Sequence, residues 1–287
     1  MTVGTGIQEL LLDDAPAAAP LALALELGWA TLPIPVRTVS GLTARIARAH
    51  PGALVLVPLV EYAVLQDAYT ILPELAAGGH HGAAAVLVAD RRLDEVDQPR
   101  VDLADISRAT ECLARATLLK FYGITAAAWS RDEPPPPPAH DATAPDRLTV
   151  EIREGGEALH LLDEPGDHVV SDLGKAWFIL SGFPPVSHLL LAPDALIGAT
   201  DETWRGVLDA LTAALAVVHE RRRELRRTLA ERYGVSREFL NAFYNDQFLT
   251  LTGDAQKSIL ALFPEGAWGM DLPTVARLKL APWAGRA

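Results

Sequence analysis

The strongest constraint on this chain is an alternation in its first half between apolar runs of strand length and stretches of helical periodicity. Runs at 2–7, 34–38, 53–57, 83–89 and 101–103 predict strands, and the intervening 20–28, 41–50, 59–66 and 107–122 predict helices. This is the pattern of βα units and a largely parallel sheet, an α/β fold. Ser40 and Ser107 predict N-caps, and Gly123 predicts a left-handed stop after the last of these helices.

Five consecutive prolines, Pro134 to Pro138, interrupt the pattern. Such a segment is extended and cannot join a sheet interior, so 132–145 predicts a surface loop; a polyproline ligand for a partner is the less economical reading. Strands are predicted next at 148–152, 158–162 and 168–170, a helix at 173–181 and a strand at 187–191. From Asp201 the chain turns helical. The stretch 202–232 has no proline, Asp201 can cap it and Gly234 lies just past it, with further helices predicted at 236–243 and 254–262.

Composition removes several function classes. The 287 residues carry 37 acidic and 25 basic side chains, a net charge of −12, which opposes a main role in coating nucleic acid. The basic run from His219 to Arg227 is interleaved with Glu220 and Glu224, as expected of paired charges on a solvated helix face. One cysteine, Cys112, excludes an internal disulfide and a thiolate metal site. No Lys or Arg precedes Arg37, so the basic region of a secretory signal is missing and a cytoplasmic location is expected. The apolar windows fall short of the ~20 residues that span a bilayer, so no membrane segment is expected. None of the eight histidines forms a metal-binding spacing, and adjacent His80 and His81 would point opposite ways on an extended chain. No metal and no cofactor are expected, and no phosphate-binding glycine motif or nucleophile elbow is present.

One local feature points to a ligand. Ser107-Arg108-Ala109-Thr110 stands where a strand ends and a long helix begins, a place whose free N–H groups and dipole suit an anion. An ordinary N-cap by Ser107 would use the same residues.

The stretch from Ser107 to Gly123 resembles the Ser-Arg-Thr-Ser helix of the chorismate dehydratases of the futalosine route to menaquinone. Asp172-Leu-Gly-Lys-Ala-Trp177 and Ser181-Gly-Phe-Pro-Pro-Val186 are similar to that family's Asp-Leu-Gly-x-x-Trp and Thr-Gly-Leu-Pro-Phe-Val. Val57-Pro58, Glu61-Tyr62 and Ile71-Leu72-Pro73 match its segment ahead of the lobe crossover, and Pro20-Leu21 its first helix.

The resemblance implies a type II periplasmic-binding-protein-like α/β fold: two lobes with mixed, mostly parallel sheets and a ligand cleft between them. It implies lobe one as 1–88 and 192–287 with the C-terminal helices, and lobe two as 89–191. It further implies a cytoplasmic hydro-lyase without a cofactor, which converts chorismate to 3-((1-carboxyvinyl)oxy)benzoate and water. The expected partner is a small anionic carboxylate, with neither nucleic acid nor membrane; a homodimer is left open. Ser107, Arg108 and Thr110 would hold a carboxylate of the substrate, with His80 or His81 supplying polar contacts near the crossing.

The chain departs from the family pattern at three places. Ala17 stands where the family has an Asn before its first helix, and Ala84 where it has an active-site Ser after the crossover. The family's Gly-Asp-x-Ala-Leu reads Gly155-Gly156-Glu157-Ala158-Leu159. These departures open a second reading, a non-catalytic or re-purposed paralogue that binds a small carboxylate in the same cleft. For Cys112, early in the ligand-side helix, a small packed residue is the simplest role, with a lowered thiol pKa as the alternative.

Overall fold

Leu10, Leu11 and Leu12, an unbroken apolar run closed by Asp13, form the first strand, β1 (Glu9–Asp13), buried on both faces as a strand between two parallel neighbours should be. The computed structural model describes residues 6–80, 82–96, 98–103, 105–131, 149–197 and 202–282. After β1 come α1 (Ala19–Glu26), with Pro20 in its first turn, β2 (Val36–Val39), α2 (Ala44–Ala49), β3 (Ala53–Pro58), α3 (Leu59–Leu65) and β4 (Tyr69–Gly79). The chain then builds a second sheet from β5 (Ala85–Ala89), β6 (Arg100–Asp102), α4 (Arg108–Tyr122), β7 (Ala128–Ser130), β8 (Thr149–Glu154), α5 (Gly155–Asp163) and β9 (Val169–Asp172). Through α6 (Leu173–Ser181) it returns to the first sheet as β10 (Val186–Pro193). It continues with α7 (Glu202–Glu220), α8 (Arg222–Tyr233), α9 (Arg237–Asn245), β11 (Gln247–Phe248) and α10 (Gly253–Gly266).

The first sheet has the order β11-β4-β10-β3-β1-β2 and the second β7-β6-β8-β5-β9. Both are mixed. Parallel pairing is confined to β1 with β2 and β3, and to β6 with β7 and β8; the other five pairings are antiparallel, so the sheets are not mostly parallel. The reason lies in the two passages between sheets. Strands that carry the chain in or out of a lobe run against its βα core, and only that core has helical crossovers of the kind parallel neighbours need. Because β5 pairs with β8 and β10 pairs with β3, the passages fall between Gly79 and Ala85 and between Asp172 and Val186. The expected boundaries at 88 and 191 each lie inside a strand.

Other differences from expectation have local causes. The first strand begins at Glu9, later than the predicted 2–7. The segment 158–162 is not a strand: Ala158 and Leu159 are the buried face of α5, and a short apolar run does not distinguish the two. The predicted helix 202–232 breaks at Arg221, whose guanidinium lies 3.5 Å from the Trp29 ring centre, a tertiary contact without a local sequence signal. The N-cap of α2 is Thr43 rather than Ser40, and Glu61 does the capping, its Oε2 accepting from the Ala44 N–H at 2.6 Å. Strands β4, β7 and β11 were not anticipated. The proline loop, His81 and the Asp201 cap lie outside the described residues.

The C-terminal helices divide their packing. α7 and α8 lie against α1, whereas α10 lies against α4, which follows β6 of the second sheet. That contact is close because Gly266 has no side chain: a Cβ there would stand 2.2 Å from the Cys112 carbonyl oxygen. The Trp177 indole, buried in α6, donates to the Ser258 hydroxyl of α10 at 2.9 Å. Among the described residues no helix is long and apolar enough to cross a membrane.

Candidate functional site

The carboxyl ends of β1, β2 and β3 face the start of α4 and the end of β8 across a cavity of about 500 Å³, lined by residues of both sheets. Ligands of open α/β sheets sit at this place, where strand ends leave backbone groups and helix starts unpaired.

At the start of α4 the caps form as the sequence implies. Ser107 Oγ accepts from the Thr110 N–H at 3.2 Å, and Gly123 closes the far end in the left-handed region, φ 72°. The anion position is nonetheless filled by the protein itself. Glu154, last residue of β8, accepts from the Ser107 N–H at 2.7 Å, from the Ser107 hydroxyl at 2.8 Å and from the Thr110 hydroxyl. Three donors converge on one carboxylate inside the cavity. Arg108 also lines the cavity and donates to the Asp271 carbonyl at 2.6 Å. Arg131 is held by Glu111 at 2.6 Å and by the Ile106 carbonyl at 2.7 Å.

The first passage between sheets forms another part of the wall, and a second carboxylate holds it. Asp172 caps α6, accepting from the Lys175 N–H at 3.0 Å, and also accepts from the Ala83 N–H at 3.1 Å. Gly174 lets the passage lie against α6, since a Cβ would come within 2.5 Å of the Ala83 nitrogen. Asp172, Gly174 and Trp177 thus cap, admit and anchor, which gives a physical meaning to the Asp-Leu-Gly-x-x-Trp pattern. Burial pushes the Asp172 carboxyl up to about 6, against the opposing pull of the Lys175, Ala83 and Gly174 N–H groups.

A third constellation lies on the first-sheet side. Asp13, at the end of β1, accepts from the Leu42 N–H at 2.8 Å and faces His188 Nε2 at 3.0 Å. The other ring nitrogen, Nδ1, lies 3.0 Å from Ser187 Oγ, which also stands 2.9 Å from the Ala77 carbonyl. With Nε2–H donated to Asp13, Nδ1 accepts the Ser187 hydroxyl or, protonated, donates to its oxygen while that hydroxyl turns to Ala77. All three side chains line the cavity, and Asp13 and His188 are nearly buried. The set can take up and return a proton.

Of the residues singled out in the sequence, Ser107, Arg108, Thr110, Ala17 and Ala84 meet on the cavity wall. Ala84 presents a methyl group, and its carbonyl accepts from the Gly155 N–H at 2.9 Å. His80 is not on this wall. The chain turns outward after Gly79, leaving His80 exposed, with its N–H on the Asp246 carbonyl at 2.6 Å and its ring 5.6 Å from that of Phe248. Glu157 points outward as well and pairs with Arg153 at 3.0 Å. Cys112 is fully buried against Gly266 and its thiol is pushed up to about 12, so it is a packed residue and not a reactive one. Among the described residues no group of three or more His, Cys, Asp or Glu could hold a metal ion.

Sequence reasoning missed Glu154, Asp13 and His188. One signal was available for His188, an imidazole at the head of the apolar run Leu189 to Ala192, where a buried polar group requires a partner.

Comparison with solved structures finds the same fold at low identity. A protein from Archaeoglobus fulgidus superposes with a TM-score of 0.62 at 17% identity, covering 93% of this chain and 98% of its own. The alkanesulfonate-binding protein of Xanthomonas axonopodis pv. citri, bound to MOPS, gives 0.61 at 14%, covering 95% and 96%. The periplasmic aliphatic sulphonate-binding protein of Escherichia coli gives 0.57 at 13%, covering 98% and 96%. The fold is therefore that of the periplasmic binding proteins, two mixed sheets with a cleft. No curated protein matches the chain in sequence. A family model described as menaquinone biosynthesis matches residues 12–267, nearly the whole length, and the chain belongs to that family.

Proposed function

We propose that the cleft binds a small carboxylate and acts on chorismate, removing water to give 3-((1-carboxyvinyl)oxy)benzoate for menaquinone synthesis. The observation that carries this reading is the convergence of the Ser107 N–H and the Ser107 and Thr110 hydroxyls on a single carboxylate. A carboxylate of the ligand takes the place of Glu154, exchanging one charge-assisted set of hydrogen bonds for another. The elimination breaks one ring C–H and one ring C–OH bond. The proton goes to a base, and the hydroxyl leaves as water after protonation. Asp13, His188 and Ser187 form the group of side chains on this wall suited to moving that proton. The reaction also needs orientation, for which Ala17 and Ala84 offer only shape. The sulfonate-binding proteins of the same fold agree with an anionic ligand. The chain is expected to work in the cytoplasm, where chorismate is made.

A specific observation favours a second reading, a binder that does no chemistry: Glu154 already satisfies the donors of α4, and the two positions where the family has polar side chains are alanines. Incubation of the purified chain with chorismate, followed by chromatography, separates the readings. Formation of the aromatic product, lost in His188→Ala, supports the lyase. Chorismate-induced thermal stabilisation without product supports the binder, and neither signal removes chorismate as the ligand.

A further inference from the structure

Behind the cleft lies a second cavity, of about 290 Å³, bounded by α7, α8, the end of α9 and β11. Ala17 and Gln247 line both cavities, so the two adjoin. Its size is close to the lower end of the ~300–1,000 Å³ range of small-molecule pockets.

The chemistry of this pocket is unlike that of the protein around it. Leu215 and Val218 of α7, and Leu225 and Leu229 of α8, give it an apolar body. Its charged and titratable lining consists of His219, Arg222, Arg226 and Tyr244, with no carboxylate, in a chain whose net charge is −12. Arg222 and Arg226 are four residues apart on α8 and so share a face. Burial, and then the neighbouring Arg222 charge, lower the Arg226 pKa, yet a guanidinium remains charged. Arg226 Nη1 donates to the neutral Asn245 Oδ1 at 2.7 Å, and among the described residues Arg226 has no carboxylate partner. Its Nε is buried and without a hydrogen-bond partner among the described residues. The side chain as a whole is half-buried, but a buried donor such as this Nε is ordinarily bonded, because leaving it unmet is costly. The Tyr244 hydroxyl brings no negative charge to this end, since it donates to the Pro16 carbonyl at 2.8 Å and burial raises its pKa well above the ordinary value.

We infer that this side pocket is a second binding site, for a monoanionic carboxylate carried on an apolar body, with Arg226 and Arg222 at the charged end and Leu215, Val218, Leu225 and Leu229 around the apolar end. The site is independent of the reading proposed for the cleft, which uses none of these six residues.

The test compares 4-phenylbutyrate with its uncharged analogue 4-phenylbutanol by isothermal titration calorimetry on the full chain. The acid is expected to bind at least tenfold more tightly than the alcohol. Arg226→Met should abolish that preference without lowering the melting temperature, because it removes a charge that has no carboxylate partner. Leu215→Trp, which fills the apolar end from a half-exposed position, should weaken both ligands about tenfold. Arg222→Met is the second charge variant and should reduce the preference severalfold, which keeps the test decisive if Arg226→Met does not fold. Equal binding of acid and alcohol would reduce the pocket to an apolar void. A preference that survives both arginine variants would place the anion elsewhere, and no binding of either compound overturns the proposal.

Discussion

Two carboxylates do the same local job in different surroundings. Asp172 and Glu154 each sit at the end of a strand, and each gathers donors at the start of a helix: Asp172 from Lys175 and Ala83, Glu154 from Ser107 and Thr110. Asp172 clamps the passage between sheets behind the cleft wall, where desolvation pushes its carboxyl up to about 6. Glu154 faces the cavity, and its donors remain within reach of anything that enters. A helix start closed by a carboxylate is thus a bolt where backbone packs over it and an exchangeable site where a cavity adjoins it. The difference lies in what borders the carboxylate, since the hydrogen bonds are of one kind.

Four measurements probe this contrast. The largest effect is expected from Gly174→Ala, which forces a methyl group onto the Ala83 backbone at the bolt. Overpacking against backbone should cost about 3 kcal/mol in denaturant unfolding, and a loss below about 1 kcal/mol would show that the passage is free to move. Glu154→Ala comes next, removing charge-assisted bonds at a loss of about 2 kcal/mol. It should at the same time tighten chorismate binding severalfold in a direct titration, whereas weaker binding would mean that Glu154 itself touches the ligand favourably.

Asp172→Asn should change a slope more than a midpoint. The folded-state value lies above the ordinary aspartate value of 3.8, so the folded chain holds this proton more tightly than the unfolded chain. That stability is complete below about pH 4 and is lost as pH rises through about 6. The asparagine variant should flatten this decline, on the order of 1 kcal/mol after allowance for the partial exposure of the group; an unchanged pH profile would assign the slope to other groups. The smallest structural effect belongs to Arg108→Ala, within about 0.5 kcal/mol in stability but with chorismate binding weakened. Equal loss of both would make Arg108 a strut to Asp271 and no part of the site.

The features legible in the sequence were the local ones. The Ser107 cap and the left-handed stops at Gly123 and Gly234 depend on residues within a few positions of one another, and all three formed. Strand β4 was hidden by its internal Pro73 and by pairing with β10 and β11 far along the chain. Leu159 has an apolar neighbour pattern that suits strand or helix alike, and only the turn at Gly155, φ 68°, followed by packing on β5, selects the helix. The site shows the same limit. Ser107 and Thr110 announced a helix start, but the carboxylate that fills it comes from 47 residues away, and the Asp13 partner of His188 from 175 residues away. Chemistry assembled at such separations follows from sheet order, which no local pattern encodes.

The close passage of Gly266 over Cys112 has a practical consequence. The chain carries a single thiol, sealed between α4 and α10 and protonated across the physiological range. An alkylating reagent therefore has one target in the whole molecule and reaches it only when those two helices part. The rate of labelling, followed by intact mass with and without ligand, is a built-in clock for the opening of the α4–α10 seam.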